Sequence, residues 1–150
     1  MVTNIQPDFE EFLRLLEEQK VEYLVVGGYA VAHHGFPRYT KDLDIFYRRS
    51  GENIGRLKRA LIEFGFDETS FAPSDFSSGQ ILKIGIEPLR IDLLNEIDGV
   101  VFEHAITQKM RDRYGQVEIS YIGKKDLMKN KESSGRPQDL ADLEKLRALN

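Results

Sequence analysis

The chain is predicted to fold as an α/β protein of the α+β type, with strands and helices alternating along most of its length and two helices closing it. Two periodicities and one compositional fact carry that expectation. Short runs such as Tyr23–Val26 and Leu89–Leu94 have the length and apolar content of strands. Residues 9–16 repeat apolar side chains at i, i+3, i+4 and i+7, the spacing of one helix face. A hydrophobic content of 41% in 150 residues is enough for one buried core and leaves little for a second. Residues 1–150 are therefore read as a single domain.

Taken in order, Pro7 suits a first helical turn, and Phe9, Phe12, Leu13 and Leu16 give a helix over 7–19 that should cover one sheet face. Tyr23, Leu24, Val25 and Val26 form a strand that Gly27 and Gly28 end, and residues 29–32 are compatible with a helix. Residues 42–47 begin with the alternation of a half-buried strand, Asp42 and Asp44 on one face and Leu43 and Ile45 on the other. A helix over 51–64 should turn Ile54, Leu57, Leu61, Ile62 and Phe64 inward and end at Gly65. Residues 71–79 read as loop, and residues 80–84 and 89–94 as paired strands around a turn at 85–88. Asp98-Gly99 punctuates the chain before a short helix over 102–110 and a strand over 117–121. Helices over 124–132 and 137–149 follow, separated by Ser133-Ser134-Gly135-Arg136, with Pro137 opening the last. Leu140, Leu143, Leu146 and Leu149 are expected to supply its inward face.

Chemistry concentrates at two of these strand ends. Gly27-Gly28 joins a strand to a helix through residues without side chains, so a ligand can approach the backbone N–H groups closely, as phosphate does; the alternative is an ordinary turn. Asp42 and Asp44 project from one face about 6–7 Å apart, and side-by-side carboxylates repel unless a cation or proton intervenes. All-oxygen sites suit magnesium or manganese, whereas the plainer reading leaves both aspartates at the surface. Asp92 is a third carboxylate inside an apolar strand, with Ile91 and Leu93 pointing the opposite way. Beside Asp42 and Asp44 it would complete a three-carboxylate, two-metal cluster; otherwise it faces water at a sheet edge.

Gly27-Gly28, then Asp42-x-Asp44, then the later single Asp92 resembles the nucleotidyltransferases of the DNA polymerase beta superfamily. The stretch Gly-Gly-Tyr-Ala-Val-Ala-His-His-Gly with Arg38-x-Thr40, and the ending Lys131, Gly135-Arg136 and Asp139-x-x-Asp142, are similar to a small bacterial branch. That branch includes abortive-infection-type toxins and lincosamide-type resistance enzymes. The resemblance runs from about Val21 to the end of the chain, with no motif over residues 50–80. It implies a nucleotidyltransferase fold, a mixed twisted sheet flanked by helices. It also implies magnesium-dependent transfer of a nucleoside monophosphate from a triphosphate such as ATP to an acceptor hydroxyl, with release of pyrophosphate. Asp42 and Asp44 would hold the metals, and Asp92 would ligate one and help deprotonate the acceptor. Gly27, Gly28, Arg38 and Thr40 would attend the phosphates, and Lys131 would neutralise phosphate charge or assist proton transfer. The acceptor is left open among an RNA 3′ end, a protein hydroxyl and a small molecule. A different class of function is a nucleotidyltransferase-like antitoxin or partner protein without turnover of its own, and a homodimer whose neighbour completes the pocket is a further expectation.

Composition narrows the remaining classes. The net charge of −4 and a pI near 5.4 give no global attraction to polyanions. Basic clusters at 48–49, 56–59, 109–113 and 124–125 are candidate phosphate contacts, with solvated helix faces and turns the favoured reading of each. With zero cysteines there is neither a disulfide framework nor a thiolate metal site. No apolar stretch reaches a membrane span, and the expected location is the cytoplasm. His33 and His34 diverge by about 100° on a helix and are not expected to share zinc. For stacking on a base, Tyr29, Phe36, Tyr39 and Phe76 are candidates that could equally be core.

Overall fold

In the computed structural model, which describes residues 5–36, 40–86 and 89–148, the apolar runs assemble as one mixed sheet. Its strands are β1 (Tyr23–Val26), β2 (Asp42–Tyr47), β3 (Ile81–Ile86), β4 (Leu89–Leu94), β5 (Met110–Tyr114) and β6 (Val117–Tyr121). They lie in the order β3-β4-β2-β1-β6-β5. Strand β2 runs antiparallel to β1 and parallel to β4, and β1 runs parallel to β6. The outer pairs β3/β4 and β5/β6 are antiparallel. The helices are α1 (Pro7–Glu18), α2 (Gly27–His33), α3 (Gly51–Phe64), α4 (Phe102–Ala105), α5 (Lys124–Ser134) and α6 (Pro137–Ala148).

Strand alternation divides the apolar residues between two faces. Val25, Leu43, Ile45, Ile91, Leu93 and Ile119 meet Phe9, Phe12, Leu13 and Leu16 of α1 and Leu57 and Leu61 of α3. On the opposite side Leu24, Val26 and Phe46 pack with Ala30, Val31, Phe102, Leu127 and Leu146, supplied by α2, α4, α5 and α6. Asp42, Asp44 and Asp92 share parity with Phe46 and Leu94. The carboxylates therefore lie on the α2/α5/α6 face, beyond the edge of its apolar packing. The buried Asn53 fixes the other end of the same strands. Its amide accepts from Glu22 N at 2.7 Å and donates to the carbonyls of Glu22 and Arg48 at 3.0 and 2.8 Å. The start of β1 and the end of β2 are thereby tied to α3, whose own first turn is capped by Ser50.

Four expectations are corrected. Ile62 of α3 is 41% exposed, because it lies about 100° from Leu61, which the sheet buries. Residues 71–79 contain a 3₁₀ turn, Pro73–Phe76, that presses Phe76 into the core. The helix expected over 102–110 ends at Ala105, continues as a 3₁₀ turn over Ile106–Gln108, and gives way to β5. Strand β5 was hidden by its composition, since Met110, Arg111, Asp112 and Arg113 are all exposed on an edge strand, where charge is tolerated. Leu140 is 47% exposed. A step of three residues slips by about 60° around a helix, so leucines at every third position cannot hold one face. The buried face of α6 is instead Asp139, Asp142, Leu143 and Leu146, spaced i, i+3, i+4 and i+7. Leu149, Arg38, Tyr39 and the centre of the turn at 85–88 lie outside the described residues. No helix among the described residues is long and apolar enough to cross a membrane.

Candidate active site

Strand register brings together three of the residues that the sequence singles out. Asp44 stands opposite Val26 on β1 and opposite Asp92 on β4, while Asp42 stands one step along, opposite Arg90. Gly27 follows Val26 directly with φ +67°, and a Cβ built on it would lie 2.2 Å from Asp44 Oδ2. The glycine is required twice, by its left-handed backbone and by the carboxylate occupying the place of a side chain. Gly27→Ala is expected to cost about 1–2 kcal/mol of stability from the backbone alone and to push Asp44 aside. A thermal melt compared with a transfer assay checks this, the expected outcome being a larger loss of activity than of fold.

Arg90 sits among the carboxylates. Its Nε donates to Asp92 Oδ1 at 2.8 Å, and its Nη2 donates to Asp42 Oδ2 at 3.0 Å and to Asp92 Oδ2 at 3.3 Å. Among the described residues no three histidine or acidic side chains converge on one point as a ready-made metal cage. The donor set nevertheless fits a hard divalent cation, because it is all oxygen and carries more negative than positive charge. Asp44 registers that imbalance. Burial first, then the charges of Asp92 and Asp42, push its carboxyl up to about 7, against the opposing pull of Lys131 and Arg90. An acid whose pKa is higher in the folded than in the unfolded state loses stability as pH rises from its unfolded value through its folded one. Metal-free protein should thus be destabilised through Asp44 between about pH 4 and 7 and stay so above. Asp44→Asn is expected to raise metal-free stability at pH 8 by roughly 2 kcal/mol, since an amide still carries part of the burial cost. The gain should vanish at pH 4, and melting curves of both proteins at the two pH values check it.

Helices α5 and α6 close the opposite wall. Lys131, 5% exposed, extends its ammonium to Asp139 Oδ1 at 3.2 Å and Asp142 Oδ2 at 3.3 Å. Asp139 also accepts from Ser134 Oγ and Arg136 Nε, both at 2.7 Å. Burial works against its charge, but these donors and Lys131 hold its pKa down at about 2. Asp142 accepts from Gln138 at 3.0 Å. Gly135, in the left-handed conformation at φ 64°, makes the turn that lets the two helices share this network. Between this wall and the strand ends lies a cavity of about 520 Å³ lined by Gly27, Gly28, Asp44, Asp92, Lys131 and Arg136 among others. That volume is within the usual range for small-molecule sites.

The comparisons with known proteins give the family and the fold. The family model for aminoglycoside-2''-adenylyltransferases matches residues 9–132. The chain belongs to that family. Its fold is that of solved nucleotidyltransferases. The lincosamide antibiotic adenylyltransferase LnuA, solved with lincomycin bound, superposes with a TM-score of 0.63 at 20% identity, covering 99% of this chain and all of the other. ANT(2'')-Ia in solution gives 0.57 at 13% identity, covering 94% of this chain and 88% of its own. Its complex with adenylyl-2''-tobramycin gives 0.54 at 13% identity, over 94% and 91% of the two chains. No curated protein sequence matches the chain. The resemblance read from Gly27-Gly28, Asp42, Asp44 and Asp92 is thus borne out at the level of family and fold, and the chain is a nucleotidyltransferase.

The other residues named from the sequence separate. Gly28 lines the cavity, and Thr40 stands two residues before Asp42, with its Oγ1 3.4 Å from the Asp42 carbonyl oxygen. Arg38 lies outside the described residues. His33 stacks on Tyr121 and reaches Asp112 at 3.1 Å, whereas His34 donates to the Ile122 carbonyl at 2.7 Å. Tyr29 and Phe76 are core, and Phe36 is covered by the Lys145 ammonium 4.4 Å from its ring centre. Sequence reasoning passed over Arg90, although its position two residues before Asp92 on a strand places it on the carboxylate face. It also passed over the buried pairing of Lys131 with Asp139 and Asp142. The i, i+3 spacing of the two acids beside Leu143 and Leu146 was the available signal.

Proposed function

We propose that residues 1–150 form one nucleotidyltransferase domain, located in the cytoplasm, that transfers a nucleoside monophosphate to an acceptor hydroxyl. The observation that carries this reading is the side-by-side register of Asp44 and Asp92 on parallel strands, next to a glycine whose missing side chain makes room for the Asp44 carboxylate. In the reaction the acceptor oxygen forms a bond to the α-phosphorus. The bond from that phosphorus to the oxygen bridging to the β-phosphate breaks, and pyrophosphate departs. The backbone at Gly27 and Gly28 admits the phosphates, and Asp92 takes the proton of the acceptor hydroxyl on its carboxylate. Asp42, Asp44 and Asp92 would hold magnesium, with manganese as a substitute. The bound cation would supply Lewis-acid stabilisation of charge on the transferring phosphoryl group. Arg38 and Thr40 are proposed to support the phosphate side of the site. Lys131 contributes positive charge near Asp44 while anchored to Asp139 and Asp142.

The family and its neighbours favour ATP as donor and a small hydroxyl-bearing acceptor as the first to try. The test is release of pyrophosphate and transfer of label from each α-labelled ribonucleoside triphosphate with magnesium. Lincomycin, tobramycin, an RNA 3′ end and a protein substrate would be offered in turn. Labelled acceptor formed by the isolated chain supports the reading. Absence of transfer to every acceptor, together with stable co-purification of a second protein, would favour the antitoxin alternative.

A further inference from the structure

Of the described residues that line the cavity, two are basic, Lys131 and Arg136, and their surroundings differ. The Lys131 side chain is 6% exposed, and its ammonium is held by Asp139 and Asp142 at 3.2 and 3.3 Å. A phosphate arriving there would have to displace carboxylates that are themselves buried and would be left without their counter-charge. Arg136 is the opposite case. It follows Gly135 at the junction of α5 and α6, and its side chain is 78% exposed. Its Nε donates to Asp139 Oδ2 at 2.7 Å, so one edge of the guanidinium is fixed to a buried acid. Asp139 is in turn held by Ser134 Oγ at 2.7 Å and by Lys131. A guanidinium carries five N–H donors, and the bond to Asp139 uses one, which leaves both terminal NH₂ groups for a ligand. The charges of Asp98 and Asp44 also reach the guanidinium, and both acids line the same cavity.

We infer that Arg136 holds the β- and γ-phosphates of the donor triphosphate, and that Lys131 serves it indirectly by fixing Asp139. This rests on the reading of Asp42, Asp44 and Asp92 as the site of transfer. With the α-phosphorus at those carboxylates, the wall formed by α5 and α6 faces the two phosphates that depart together. A triphosphate brings more negative charge than one divalent cation neutralises, and a guanidinium fork suits the remaining phosphate oxygens. The phosphate-neutralising role that the sequence suggested for Lys131 therefore passes to Arg136. Lys131 is a positioning residue in this scheme.

The test is calorimetric titration of the full chain, with magnesium in excess over all phosphate. The first ligand is whichever of the four ribonucleoside triphosphates binds the wild type most tightly. Inorganic pyrophosphate is then used to displace it, because it carries the departing phosphates without the nucleoside or the α-phosphate. Arg136→Gln is expected to fold and to weaken the triphosphate at least tenfold, and pyrophosphate, corrected for competition, by a similar factor. Arg147→Gln removes a 58% exposed charge elsewhere on α6 and should leave both constants within twofold of the wild type. A loss below threefold for either ligand in Arg136→Gln overturns the proposal. So does an equal loss in Arg147→Gln, or pyrophosphate that fails to displace the triphosphate from the wild type. Should the glutamine variant not fold, Arg136→Lys carries the test. An ammonium lacks the fork that holds Asp139 and a phosphate together, so pyrophosphate should weaken threefold or more, and unchanged binding would refute the assignment. A wild type that binds none of the four triphosphates removes the reading of the site, and this proposal with it. A wild type that binds one, and loses it in Asp42→Asn/Asp44→Asn, keeps that reading whatever Arg136 does.

Discussion

Asp92→Asn is expected to lower nucleotidyl transfer by about 10²–10⁴-fold while leaving the protein folded. Asparagine keeps the size of the side chain and its place on β4, so the strand pairing of Asp92 with Asp44 and Lys83 does not depend on the substitution. Arg90 retains Asp42 as a partner at 3.0 Å. The change removes a full negative charge and the basic oxygen proposed to receive the acceptor proton. Transfer assays beside melting curves check this. A variant with unchanged turnover and normal metal dependence would remove Asp92 from the chemistry.

The second large effect is on the fold. Lys131→Met is expected to destabilise the protein by about 3–5 kcal/mol, because it takes the ammonium from Asp139 and Asp142 and leaves both buried. For a chain of this length that is a fall in Tm of roughly 10 °C. Ser134 and Arg136 still serve Asp139, so the heavier consequence falls on Asp142, which is 0% exposed. Adding Asp142→Asn to Lys131→Met should restore more than half of the loss, as removal of a buried charge should when its counter-charge is gone. The depressed pKa of Asp139 sets the pH range. The stability that its pairing provides is present above about pH 4, the ordinary carboxylate value, and is lost as pH falls through about 2. A Lys131→Met protein with an unchanged Tm and lost activity would instead make the residue a phosphate contact without a structural part.

Most of the fold was legible in the sequence because its elements carry strong periodic signals. Helix α1 announces itself by Pro7 and the Phe9, Phe12, Leu13 and Leu16 face, and β2 by the alternation from Asp42 to Ile45. Strand β5 was not legible, since an exposed edge strand needs no alternating apolar face and Met110 to Arg113 show none. The inward face of α6 does not follow its leucines, because two of its buried residues are aspartates whose partner, Lys131, comes from another helix. The site divides in the same way. Glycine and acid patterns are local and survive in one dimension, so Gly27, Asp42, Asp44 and Asp92 could be read. Arg90 acts across strands, and its contact with Asp42 spans 48 positions, which only the parallel pairing of β2 and β4 brings together.

The measurement that bears most directly on the carboxylate site is calorimetric titration of magnesium with each of the four ribonucleoside triphosphates. It would be run on the wild type and on the double variant Asp42→Asn/Asp44→Asn. Nucleotide binding that depends on magnesium in the wild type and disappears in the variant is the predicted result. Binding that is equal in both proteins, or independent of magnesium, would contradict it.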